Sequence, residues 1–155
     1  MAADPIESKL AELGLALPAP AAPAGSYVPY RLHGDVLYVS GVLCTRDGAV
    51  THAGQVGREQ TVDTAREAAQ ICALNALAAI KVALGRLDRV KAFLLVNGFV
   101  NGVAGFDQSP AVINGASDLF VKLFGDAGRH ARVAVAAAGL PRNATVEIQV
   151  TVSVG

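Results

Sequence analysis

Apolar residues along this chain recur with two periods, one helical and one extended, and turn residues punctuate the change from one to the other. Asp4-Pro5-Ile6-Glu7 offers an acceptor at an N-cap, proline at the first helical position and Glu7 where a capping box needs it. Ile6, Leu10 and Leu13 then share one face, and Gly14 can end the helix. The stretch Pro18 to Pro23 reads as an extended connector. Two β-rich runs, Tyr27 to Leu32 and Val36 to Ser40, flank His33-Gly34-Asp35 and predict a hairpin.

From Thr61 to Leu84, Val62, Ala65, Ala69, Cys72, Ala76 and Ala79 recur at helical spacing, and Gly85 follows as a stop. The small side chains would let this helix lie close to a sheet. Val90 to Val96 is a nearly continuous apolar strand, followed by a glycine-rich connection over 97–107. Ser109-Pro110 caps a second long helix with Val112, Ala116, Leu119, Phe120 and Leu123 on one face, stopped by Gly125. Arg132 to Ala138 predicts a strand buried for most of its length, and Leu140-Pro141-Arg142-Asn143 is turn chemistry. Val146 to Val154 alternates strictly, with valines and Ile148 on one face and Glu147, Gln149, Thr151 and Ser153 on the other.

The predicted order is β-β-α-β-α-β-β in an α+β domain, with both helices on one face of a mixed sheet. The opposite face would then need a partner chain, so oligomerisation is expected. The whole chain, 1–155, reads as a single domain, with 1–24 as helix and connector and 25–155 as core.

Composition narrows the function. The 13 basic and 13 acidic residues cancel, which leaves no positive field to gather phosphates and argues against nucleic acid. Cys44 and Cys72 fall in separate apolar settings without metal-ligand spacing, so no metal is expected. No basic leader or long uninterrupted apolar run is present, and a soluble cytoplasmic protein with no membrane partner is expected. The chain lacks a Gly-x-Ser-x-Gly elbow, a phosphate-binding Gly-x-x-x-x-Gly-Lys loop and a His-Glu-x-x-His pair. His33, His52 and His130 fall in predicted loops, where a surface role is the default for each. Asn143-Ala144-Thr145 matches a glycosylation acceptor but, without a secretory signal, carries no function.

Arg132 stands apart as a cation opening the uncharged run Val133 to Ala138. Its planar fork suits a carboxylate, stays charged at any working pH and cannot serve as a base, so its role is binding. A structural ion pair with Glu147 or another acid explains it as well as a ligand does.

The order and spacing of several pieces resemble the RidA (YjgF) family. Ala131-Arg132, a short strand, Leu140-Pro141 and then Val146-Glu147-Ile148 look like that family's C-terminal signature. Gly25-Ser26-Tyr27, the hairpin and Ser40-Gly41 are similar to its N-terminal pattern, and Asn114 with Phe120 to its second helix. The resemblance spans about Pro23 to Val154. It implies a chorismate-mutase-like fold and a homotrimer around a central barrel, with ligand sites between subunits.

By the same resemblance, Arg132 would clamp the carboxylate of a 2-imino or 2-enamino acid, Tyr27 would line the pocket and Gly41 would approach the substrate through its backbone. Asn114 would support the pocket, and Glu147 would hold or activate the attacking water, giving a 2-oxo acid and ammonia without metal or organic cofactor. Ala134 stands where the best-known deaminase members carry cysteine, and the N-terminal helix and the 97–107 connection are additions. The competing functions are a non-catalytic trimer that binds small carboxylates and, third, an endoribonuclease.

Overall fold

The strand that comes last in the sequence lies at the centre of the sheet. The computed structural model describes residues 2–155. Its elements are α1 (Pro5–Glu12), β1 (Tyr30–His33), β2 (Val36–Leu43), β3 (Thr45–Arg46), β4 (Ala49–Val50), α2 (Val62–Leu84), β5 (Val90–Asn101), α3 (Ser109–Phe124), β6 (Ala131–Ala137) and β7 (Val146–Val154). The main sheet runs β1-β2-β7-β5-β6. All its pairings are antiparallel except β5 with β6, which is parallel and puts β6 on an edge.

β7 is central because its alternation suits a strand that meets helices on one side only. Val146, Ile148, Val150 and Val152 are fully buried toward α2 and α3, and Glu147, Thr151 and Ser153 on the other face are half-buried. α2 begins at Thr61, whose hydroxyl and that of Thr64 satisfy each other's backbone N–H, and ends at Gly85 with φ 79°. Its alanines let α3 approach so closely that a Cβ on Gly115 would lie 2.1 Å from the Arg66 carbonyl oxygen. Phe93 of β5 stacks on Phe120 of α3 with ring centroids 4.4 Å apart, locking that helix to the sheet.

α1 forms behind Asp4-Pro5 as predicted, although Glu7 pairs with Lys81 of α2 instead of closing a capping box, and the structure gives the Asp4 cap a second task. Asp4 is buried; its Oδ1 accepts from the Ile6 N–H at 2.9 Å and its Oδ2 from the Leu87 N–H at 2.6 Å. One carboxylate thus caps the helix and pins it to the turn before β5.

Four expectations need correction. The second long helix takes Gln108 as its N-cap, and Ser109 is its first residue, buried with a hydroxyl that has no partner. β5 runs on to Asn101, because β6 and β7 both continue to pair with it, and this leaves a shorter loop after it. The strand at Tyr27 begins three residues later, at Tyr30, with Tyr27 in the bend before it. β6 is not buried for most of its length: Val133 is 48% and Val135 44% exposed in the single chain. An additional hairpin, β3-β4, turns through Asp47 at φ 52° and Gly48 at φ 79°, a dipeptide whose hairpin propensity was legible in the sequence.

Candidate functional site

Arg132 and Glu147 sit on opposite faces of the sheet. Arg132 is level with Val96 and Val150, whose side chains point into the helical layer. Glu147 is level with Phe99 and, beyond it, Val135, on the outer face. Two strand spacings and three residues separate them, roughly 10 Å across and roughly 10 Å along the sheet. The ion pair between them, open from sequence, does not form.

Arg132 instead meets α3. Its Nη1 donates to Asn114 Oδ1 at 2.8 Å and to Ser117 Oγ at 3.2 Å. These acceptors are one helical turn apart, so a single face of α3 presents both. Both are neutral, and no carboxylate among the described residues lies within 4.0 Å of the guanidinium. The Nε and Nη2 donors make no hydrogen bond among the described residues. A half-buried cation held by neutral oxygens at one nitrogen, with no partner for its other donors among the described residues, has the chemistry to take an external anion.

Ala134, two residues further along β6, lies on the same face as Arg132, packs against the core and is level with Gly98 of β5. It offers no side-chain polar atom, so any ligand contact there falls to the backbone.

Glu147 is half-buried, and that burial pushes its carboxyl above the ordinary range. It sits behind Gly41, in the register shift where β2 bulges between Val39 and Val42. A Cβ at Gly41 would come within 3.0 Å of Glu147 Oε1, so the glycine leaves the carboxylate its space. Gly41 and Tyr27 share a cavity of about 470 Å3 that is also lined by Pro20, Pro23, Asn75 and Arg142. The proline-rich connector forms one wall. The Tyr27 hydroxyl accepts from the Ala24 N–H at 3.1 Å, and Ser40 Oγ donates to the Val28 carbonyl at 2.6 Å, which fixes this segment against β2.

The structure therefore groups the six expected residues in two sets. Arg132, Asn114 and Ala134 lie at the helix face of the β6 edge, and Tyr27, Gly41 and Glu147 lie around β2 and the outer face of β7. Nothing among the described residues of one chain brings the sets together.

Several residues escaped the sequence reading. Ser117 could have been found as the residue one turn beyond Asn114. Asn75 is a lone amide in the apolar stretch of α2, and it donates to the Leu43 and Thr45 carbonyls at 2.9 Å each, holding the chain where β2 turns into β3. Arg142 adopts φ 58° and reaches the Gly48 carbonyl at 2.7 Å. Two histidines are not the unpartnered surface residues expected: His52 contacts Thr51 and Glu67, and His130 is hydrogen-bonded to Ser117 and to the Gly128 carbonyl. Cys44 and Cys72 are not in separate settings either; both are fully buried in one core, their thiols donate to the His52 and Val146 carbonyls at 3.4 Å each, and burial drives the Cys72 thiol well upward.

These features define a class of protein: a small α+β domain with two long helices on one face of a mixed sheet, a guanidinium held by neutral oxygens at one edge and a half-buried carboxylate on the bare face. The chain belongs to the YjgF family, whose model, described as "YjgF/chorismate_mutase-like, putative endoribonuclease", matches residues 7–152. The chain is 45% identical over 148 residues to Protein TCP17 of Trypanosoma cruzi, covering 95% of this chain and 92% of that one. The crystal structure of Atu1372 from Agrobacterium tumefaciens, a protein of unknown function, shares 45% identity and superposes with a TM-score of 0.91 over 97% of this chain and 92% of that one. A Shewanella oneidensis structure named "putative endoribonuclease" shares 34% identity with a TM-score of 0.93, covering 96% and 99% of the two chains. Coverage this complete includes most of α1 and the connector, so the segment set apart as an addition is common to these relatives.

Proposed function

We propose that this protein hydrolyses small 2-imino or 2-enamino acids to 2-oxo acids and ammonia, in a homotrimer whose sites form between neighbouring chains. The observation that carries the reading is the guanidinium of Arg132, oriented by Asn114 and Ser117 with its remaining donors free and no protein carboxylate to neutralise it. A neighbouring chain laid against the outer face would bring its Glu147 toward that edge. The exposed Val133 and Val135 give that face apolar area to bury.

In this reaction Arg132 holds the substrate carboxylate and thereby fixes the imine carbon. Glu147 of the neighbouring chain accepts a proton from water as the oxygen adds to that carbon. The proton passes to the nitrogen to give a carbinolamine; the hydroxyl then gives up its own proton, which Glu147 can carry to the nitrogen, and the C–N bond breaks so that ammonia leaves as the carbonyl forms. An enamine first takes a proton on its β-carbon to give the imine. Burial of Glu147 raises its basicity, which suits a general base near neutral pH. An imine is already electrophilic, so the chain's own residues suffice for a modest acceleration. The cavity behind Tyr27 and Gly41 has room for a substrate side chain.

The test couples an amino-acid oxidase to the protein and follows imine loss. Wild type should accelerate hydrolysis, Arg132→Ala should lose that acceleration through a raised KM, and Glu147→Gln should lose it through kcat. Saturable binding of a 2-oxo acid with no acceleration would replace hydrolysis by carboxylate binding alone.

A further inference from the structure

The hydrogen bonds that aim Arg132 continue away from the ligand side and end on a histidine. His130 Nδ1 lies 2.7 Å from the Gly128 carbonyl oxygen, which can only accept, so Nδ1 carries the hydrogen. In the neutral ring Nε2 is then an acceptor, and Ser117 Oγ lies 2.9 Å from it. The Ser117 hydroxyl hydrogen points to the ring, which turns the oxygen's lone pairs toward the Arg132 Nη1 donor at 3.2 Å. Asn114 holds the same nitrogen from the next turn of α3. The whole chain has one polarity, set by a backbone carbonyl.

We propose that neutral His130 is a positioning residue for Arg132, and that protonating it loosens the grip of Arg132 on the ligand carboxylate. This rests on the carboxylate-binding role of Arg132 given above. A proton on Nε2 must point at the Ser117 oxygen, so imidazolium and guanidinium then compete for one acceptor and repel each other across it. Arg132 is left with Asn114 as its only undisturbed partner. The added charge also attracts a carboxylate, but from behind Ser117, at one residue's remove from the ligand.

The surroundings keep the ring neutral. His130 is half-buried, with the Phe120 ring edge-on at 6.0 Å, and burial is the main cause that lowers its pKa; the charge of Arg132 adds to this and the Gly128 carbonyl opposes it. Ser117 and Phe120 face it from α3 and are uncharged. Arg132 faces it from β6. Arg129, next in the chain, is exposed and paired with Asp126 at 3.4 Å. Among the described residues no carboxylate lies within salt-bridge distance of His130 to hold a proton there.

The experiment is calorimetric titration of the full-length protein with 2-oxobutanoate between about pH 5 and pH 8. Wild type should bind with constant affinity near neutrality and weaken about three- to ten-fold in the acid range. His130→Gln can accept from Ser117 and donate to Gly128 with the same polarity; it should keep neutral-pH affinity within about two-fold and lose the acid weakening. His130→Leu and Ser117→Ala should bind about three- to ten-fold more weakly at every pH. A 15N spectrum of the imidazole should show the hydrogen on Nδ1 in the folded protein, which checks the relay independently of binding. Acid weakening that persists in His130→Gln, or wild-type affinity that is flat or rises in acid, overturns the proposal. Undiminished binding by Arg132→Ala overturns instead the carboxylate reading beneath it.

Discussion

A Cβ on Gly41 would stand 3.0 Å from Glu147 Oε1, so the bulge in β2 and the carboxylate of β7 occupy one shared space. The atom that such a Cβ meets is the far end of a flexible side chain, so Glu147 can turn aside without disturbing either strand. Gly41→Ala should therefore fold with a Tm within about 3 °C of wild type. Imine hydrolysis should nevertheless fall by about ten-fold or more, since the displaced carboxylate no longer faces its water. Thermal melts beside the coupled assay separate the two effects, and a variant with wild-type turnover would remove Glu147's setting from the mechanism.

Glu147 also predicts a stability change with a defined sign. Burial raises its folded-state pKa above the unfolded value, so the folded protein binds this proton more tightly. Its contribution to stability is then lost as pH rises from the ordinary carboxylate value through the folded one, and above both the charged form carries a constant cost. Glu147→Gln should melt slightly above wild type at neutral pH, by no more than a few degrees because the group is partly solvated. The difference should vanish below about pH 4. Melts across that range check it, and a Tm lower than wild type at neutral pH would show the carboxylate to be paired.

The outer face gives a prediction about assembly. Val133 and Val135 are near half exposed and share that face with Phe99 and Leu95. A charge among them is costly to bury, so Val135→Asp should dissociate the expected trimer to a species of one-third the mass. Sedimentation reads this directly. Imine hydrolysis should fall with the mass, because the two halves of the proposed site lie on different chains.

Asp4 ties the N-terminal helix to the domain through two backbone N–H groups. Asp4→Ala leaves the Leu87 N–H buried without an acceptor, at a cost of about 1–3 kcal/mol. Tm should drop by about 2–10 °C. Asp4→Asn, which keeps one acceptor oxygen, should lose less. Equal melting of all three proteins would show that water replaces the carboxylate.

The sequence by itself determined what depends on neighbours along the chain. The Asp4-Pro5 cap, the alanine-rich period of α2, the glycine stop at Gly85 and the strict alternation of β7 each express a local geometric requirement, and each forms where the pattern places it. Arg132 also stood out locally, as a charge heading an apolar strand. Its partners did not stand out locally: Asn114 entered only through the family resemblance and Ser117 not at all, because both belong to the preceding helix, and only the parallel crossover from β5 through α3 to β6 lays that helix beside Arg132. The same holds for His130, which reads as a loop residue until the Gly128 carbonyl and Ser117 close around it. Sequence could place Arg132 and Glu147 on strands, but which face each takes depends on register and on the order of strands in the sheet. Tertiary structure alone decided that they lie on opposite faces, because a strand's alternation fixes its two sides and only pairing with its neighbours says which side meets the helices.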